Sequence, residues 1–124
     1  MTNHLKLADS YLRLSDEEKK YGNESESITN QREIIRDYCK KQGIIIVSEF
    51  VDDGYSGGNF ERPGFQAMLN HLAAGKANTV ITKDLSRLGR DMTESSYYAE
   101  RFFPEHGIHY LAPGNDFDSM GDNL

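Results

Sequence analysis

Residues 44–51, IIIVSEFV, are the clearest strand in the chain. A β-branched and aromatic run of this length packs well on a pleated surface and poorly in a helix. Its nearly unbroken apolar character predicts a buried strand, as in parallel sheets covered on both faces. Three further segments read as strands: 5–14, mixed apolar and polar, then 79–82 and 108–112. Helical patterns separate them. Ser27 can cap a helix through Gln42, with Gly43 just past its end and Ile28, Ile34, Ile35, Tyr38 and Cys39 as its stripe. Pro63 opens a second helix carrying Phe65, Met68, Leu69 and Leu72, stopped at Gly75. Thr93 is the expected cap of a third, running to about His106. The charged segment 16–26, DEEKKYGNESE, reads as a solvated loop and a candidate lid. Strands alternating with helices predict an α/β fold, a mostly parallel sheet of four to five strands flanked by helices in three layers.

In such sheets ligands bind beyond the carboxyl ends of the strands. Here those ends are 13–26, 52–62, 83–91 and 115–119, and they are rich in arginine and hydroxyl groups. Strand alternation places Tyr11, Arg13 and Ser15 on one side of the first strand. The second segment supplies Asp53, Ser56 and Arg62; the third, KDLSRLGRD, supplies Lys83, Asp84, Ser86, Arg87 and Arg90. If the third begins with a helical turn, Arg87 and Arg90 share a face. Guanidinium groups grip phosphate oxygens in pairs and stay charged at ordinary pH. Arg13, Arg62, Arg87 and Arg90 around the Ser15 hydroxyl therefore suit attack on a phosphodiester without a metal or nucleotide cofactor.

These residues also resemble a known family. YLRLS, SITNQRE, FVDDGYSGGNFERPGF, KDLSRLGRD and NDFDS follow the order and spacing of the motifs of serine recombinases. The resemblance is to the catalytic domain of the resolvase/invertase superfamily, nearest its large-recombinase and transposon-integrase branch. It implies a resolvase-like fold and DNA as substrate. Ser15 would be the nucleophile, forming a 5′-phosphoserine link and freeing a 3′-hydroxyl. Arg13, Arg62, Arg87 and Arg90 would activate the phosphate, with Tyr11, Gln31, Asp53 and Ser86 in support. Ser86 stands where many resolvases carry Asp, a candidate proton donor to the leaving group. Asp84 is expected on the opposite side of an extended segment. The resemblance further implies dimers on each DNA site, a synaptic tetramer, and a catalytic unit over 1–124 that ends before a long helix and DNA-binding region.

Composition limits the rivals. With 14 Lys and Arg against 20 Asp and Glu, the net charge is −6, which disfavours a free-standing nucleic-acid binder. DNA affinity is therefore expected mainly from the further region. Cys39 is the one cysteine, so no internal disulfide or paired-cysteine zinc site is expected. No apolar run approaches the roughly 20 residues of a membrane span, and MTNHLKLADS lacks a secretory apolar core; a cytoplasmic location is expected. Two other readings stand beside the recombinase. One is a non-catalytic oligomerisation module, motivated by Ser86. The other is a receiver-like phospho-acceptor at Asp53, weakened because the first strand does not end in an acidic pair.

Overall fold

The computed structural model describes residues 5–54, 62–89 and 91–120. Ser56 and Arg90, both singled out above, lie outside the described residues. The chain runs β1 (Leu7–Leu14), α1 (Asp16–Tyr21), α2 (Ile28–Gln42), β2 (Ile45–Asp53), α3 (Pro63–Ala73), β3 (Thr79–Ile81), α4 (Met92–Tyr97), α5 (Phe103–Glu105), β4 (His109–Ala112) and β5 (Phe117–Asp118). The five strands form one sheet in the order β2-β1-β3-β4-β5. All neighbours are parallel except β4 and β5. The carboxyl ends of β1 to β4 therefore meet along one edge, as the alternation predicts.

Each face of the sheet carries its own core. Ile35 and Cys39 of α2 pack on Ala8, Leu12, Ile81 and Leu111. Phe65, Met68 and Leu72 of α3, with Ala99 and Phe103, pack on Tyr11, Val80 and Tyr110. The third layer is thus accounted for by the alternation of side chains along β1: Tyr11 looks one way and Leu12 the other.

Three expectations are corrected. The 44–51 run is an edge strand, not a buried one: β2 pairs only with β1, and Ile45 and Val47 are 47% and 42% exposed. Segment 16–26 is not a plain loop. Ser15 and Glu18 form a capping box, acidic residues fill the first turn of α1 and lysines its last, and a 3₁₀ turn follows at Glu24–Glu26. The third long helix is capped by Asp91, whose side chain accepts from the Glu94 N–H at 2.9 Å. Thr93 lies inside α4. The helix then widens into a π-helical turn at Tyr98–Phe102 before α5. Pro104 has no N–H to give to the carbonyl four residues earlier, and that loss accompanies the change of winding. The α2 caps agree with expectation: Ser27 Oγ accepts from the Asn30 N–H, and Gly43 takes the left-handed conformation at φ 73°.

Candidate active site

Arg13 is the penultimate residue of β1 and is buried. Its guanidinium crosses to the 85–89 segment, where it donates to the carbonyls of Ser86 at 2.6 Å, Arg87 at 3.4 Å and Gly89 at 3.2 Å. Gln31, fully buried on α2, brackets the same residue by its main chain. Its Oε1 accepts from the Arg13 N–H at 3.3 Å and its Nε2 donates to the Arg13 carbonyl at 2.9 Å. Burial, with Arg62 and Arg87 nearby, pulls the Arg13 guanidinium below its ordinary pKa, against the opposing influence of Tyr11 and Glu18.

The strand ends one residue later, and Ser15 is the N-cap of α1. Its Oγ accepts from the Glu18 N–H at 3.1 Å, and Glu18 Oε1 accepts from the Ser15 N–H at 3.0 Å. Arg87 arrives from a 3₁₀ turn, Leu85–Arg87, that follows β3. Its Nη1 donates to the Arg13 carbonyl at 3.0 Å and to Glu18 Oε1 at 2.9 Å, while Nη2 contacts Glu26. Ser15, Arg13, Arg87 and Gln31 are thus joined through shared partners at the carboxyl end of β1. A cleft of about 250 Å³ opens beside them, lined by Arg13, Glu18, Ser86, Arg87, Asp91, Met92 and Ser95. A larger hollow of about 500 Å³ lies at the other edge of the sheet, before β3 and β4. Its walls, Leu69, Leu72, Ala77 and Ile108 among them, provide no Lys or Arg side chain.

Arg62 stands apart from this group. It is buried, its Cζ lies 4.0 Å from the centre of the Phe65 ring, and it donates to the Leu88 carbonyl at 2.7 Å and to Glu94 at 3.0 Å. It therefore grips the same 85–89 segment from the α3 side. Gly89 makes that segment fit: a Cβ there would come 2.5 Å from the Ser95 nitrogen and 2.8 Å from its Oγ.

The supporting residues divide sharply. Tyr11 donates to Asp52 at 2.6 Å, and burial with that bond pushes its phenol well above the ordinary range. Asp52 also accepts from the Gly64 and Phe65 N–H groups at 2.7 and 3.0 Å, so it caps α3 and fixes the entry of Arg62. Gly64 is needed for that approach, because a Cβ would sit 2.9 Å from the Asp52 oxygen. Asp53 points to solvent and pairs with Lys19 at 3.3 Å. The motif reading selected Asp53, whereas the interior position belongs to Asp52. The signal was available: in the strand, Asp52 shares its side with the inward-facing Phe50.

Ser86 is exposed, and its Oγ donates to Asp84. Asp84 is not on the far side of an extended segment, as expected. It caps the 3₁₀ turn, accepting from the Ser86 N–H at 3.0 Å, because the turn bends the carboxylate back over residue 86. Glu18, Glu26 and Glu94 are the site residues that sequence reasoning missed altogether. Among the described residues, no three His, Cys, Asp or Glu side chains gather as they would around a metal ion. No described helix is long and apolar enough to cross a membrane.

Comparison with known proteins agrees with this architecture. The family model described as Resolvase, N terminal domain matches residues 8–119. An uncharacterized immunity region protein 3 of Bacillus phage phi105 is 35% identical over 65 residues, 52% of this chain and 77% of that protein. The N-terminal catalytic domain of TP901-1 integrase is 24% identical, with a TM-score of 0.79 over 94% of this chain and 83% of that one. A resolvase family site-specific recombinase from Streptococcus pneumoniae is 23% identical, with a TM-score of 0.78 over 96% of this chain and 79% of that one. At these identities the two solved structures establish the fold.

Proposed function

We propose that this chain, which belongs to the resolvase N-terminal domain family and is a serine site-specific recombinase catalytic domain, uses Ser15 as its nucleophile on DNA. The observation that carries the assignment is one shared carboxylate: Glu18 binds both the Ser15 N–H and the buried Arg87 guanidinium, so nucleophile and cation belong to one site. Ser15 Oγ attacks the phosphorus and releases its proton to solvent, the bond from phosphorus to the 3′-oxygen breaks, and that oxygen leaves with the electron pair and takes up a proton, so that no net proton is gained or lost. The product is a 5′-phosphoserine link and a free 3′-hydroxyl, and rejoining runs the same steps backwards. Arg13 and Arg87, with Arg62 and Arg90, supply positive charge to the non-bridging oxygens, where preorganised donors lower the barrier most. Gln31 holds Arg13 by both main-chain groups. Tyr11 and Ser86 act in support, Tyr11 through Asp52 and Ser86 beside Asp84. Asp53, paired with Lys19, acts at the rim.

The net charge of −6 supports a division of labour in which DNA affinity resides mainly outside these residues. Dimers on each site and a synaptic tetramer complete the reading. The test is to incubate the full-length protein with paired recombination sites and trap protein covalently joined to DNA 5′ ends. Wild type accumulates the adduct and Ser15→Ala yields none, with its fold retained by circular dichroism. DNA cleavage by Ser15→Ala would overturn the assignment.

A further inference from the structure

The donors that a phosphate requires are already occupied. Glu18 Oε1 bridges the Ser15 N–H and Arg87 Nη1, and its second oxygen lies 2.8 Å from the same nitrogen. Glu26 closes on Nη2. Arg87 is 3% exposed, and its Nε has no hydrogen-bond partner; the Asp84 carboxylate stands 4.0 Å away. The buried guanidinium therefore keeps two carboxylates on its outer nitrogens and one donor unspent.

We infer that Glu18 is a positioning residue that locks Ser15 and Arg87 together in the phosphate-free site, and that with Glu26 it is displaced when a DNA phosphate takes their place on Arg87. The inference rests on the reading of Ser15 and Arg87 given above. Carboxylate and phosphate present the same pair of acceptor oxygens to a guanidinium fork, so they compete for it. A buried arginine left without an anion would be strongly disfavoured, so the glutamates keep it in place until the substrate arrives. The exchange also reaches the nucleophile. When the Glu18 carboxylate leaves the Ser15 N–H, the capping box keeps only the bond from the Glu18 backbone N–H to Ser15 Oγ.

The element that must move is suited to moving. No residue of α1 is buried, so the helix is attached through its ends and its ion pairs and not through the core. Partial burial pushes the Glu18 carboxyl up, but the Ser15 N–H and the Arg87 charge outweigh it and hold the group below the usual range. The carboxylate is thus ionised and competing at neutral pH. Among the described residues, Arg13, Lys19, Glu24, Lys83, Asp84 and Asp91 are further charged groups that face the cluster.

The test uses sulfate, a dianion on both sides of the carboxylate range, titrated into the chain while the Arg87 Nε–H and backbone amide signals are followed by NMR. Wild type, the Glu18→Gln/Glu26→Gln double variant and Arg87→Ala are compared at about pH 7 and about pH 3.5. Gln at position 18 preserves the capping box, and thermal melting checks the fold. The double variant binds sulfate roughly tenfold more tightly than wild type at the higher pH, equivalent to one ordinary charge-assisted contact. That difference narrows at the lower pH, and Ser15 and Arg87 signals of wild type shift together. Equal affinities at the higher pH, with sulfate still on Arg87, overturn the lock and leave the Arg87 assignment intact. An Arg87 signal that moves while Ser15 stays still overturns the coupling. Sulfate that never reaches Arg87 in wild type or double variant overturns the underlying assignment, and the lock with it.

Discussion

The two strands β1 and β2 run side by side and parallel from Leu7 and Ile45 to Leu14 and Asp53, with a bulge that leaves Val47 without a counterpart, yet they differ in sequence and in burial. β2 carries the β-branched residues, and it lies at the sheet edge with Ile45 and Val47 exposed. β1 carries Asp9, Ser10 and Arg13, and seven of its eight residues are buried. Position in the sheet therefore decides burial here, and hydrophobicity follows it only loosely. β1 lies between β2 and β3, which pairs with its Ala8–Ser10, and the 85–89 segment covers its carboxyl end. A charged residue at its carboxyl end has main-chain carbonyls within reach, as Arg13 does. β1, an interior strand, thus offers its buried cation three main-chain carbonyls of the 85–89 segment.

The widest contrast is in stability. Leu12→Ala in β1 should cost about 3 kcal/mol, since it removes a fully buried side chain and leaves a cavity. Ile45→Ala in β2 should cost less than about 1 kcal/mol, because much of that side chain is already in water. Urea unfolding measures both. Comparable losses would mean that the β2 edge is covered in solution and would break the contrast.

The adjacent aspartates give a narrower version of it. Asp52→Asn puts an amide where Tyr11 and two α3 N–H groups all donate, and should cost about 2 kcal/mol. Asp53→Asn loses an exposed ion pair with Lys19 and should stay within about 0.5 kcal/mol. In adduct formation the Asp52 variant should also be the slower, through its hold on the entry of Arg62. An Asp53 variant with the larger loss of stability would reverse the assignment of the interior position.

Much of this was legible in the chain. The α2 boundaries followed from Ser27 and Gly43, because caps are local chemistry. Gly89 and Gly64 lie within the quoted motifs, but their close approaches to Ser95 and Asp52 became visible only in the fold. What escaped was non-local. The edge position of β2 depends on strand order, which an apolar run does not encode. Segment 16–26 was read as solvated because it lacks apolar residues, although the Ser15–Glu18 spacing announced a capping box. Glu18, Glu26 and Glu94 became site residues only when the fold brought Arg87 and Arg62 to them. Arg90 lies outside the described residues, so its place in the arrangement rests on the motif.

The smallest effect is the most specific, because the two strands should respond to acid with opposite sign. Glu49 of β2 is held below the usual carboxylate range by its hydrogen bonds to Arg32 on α2, against slight burial. Its contribution is present above the unfolded pKa and is lost as pH falls through the folded one. Asp9 of β1 is pushed up by burial, against the hydrogen bond and charge of His71. Its contribution is present below the unfolded pKa and is lost as pH rises through the folded one. Between about pH 3 and 6, then, Glu49→Gln should flatten the rise of unfolding free energy with pH, and Asp9→Asn should steepen it. Each change should remain below about 1 kcal/mol across the range, as partly exposed or counter-balanced groups allow no more. Urea midpoints measured at several pH values read both slopes. Slopes that shift in the same direction would mean that the central carboxylate is stabilised as an anion, and the distinction between the buried strand and the edge strand would no longer extend to their charges.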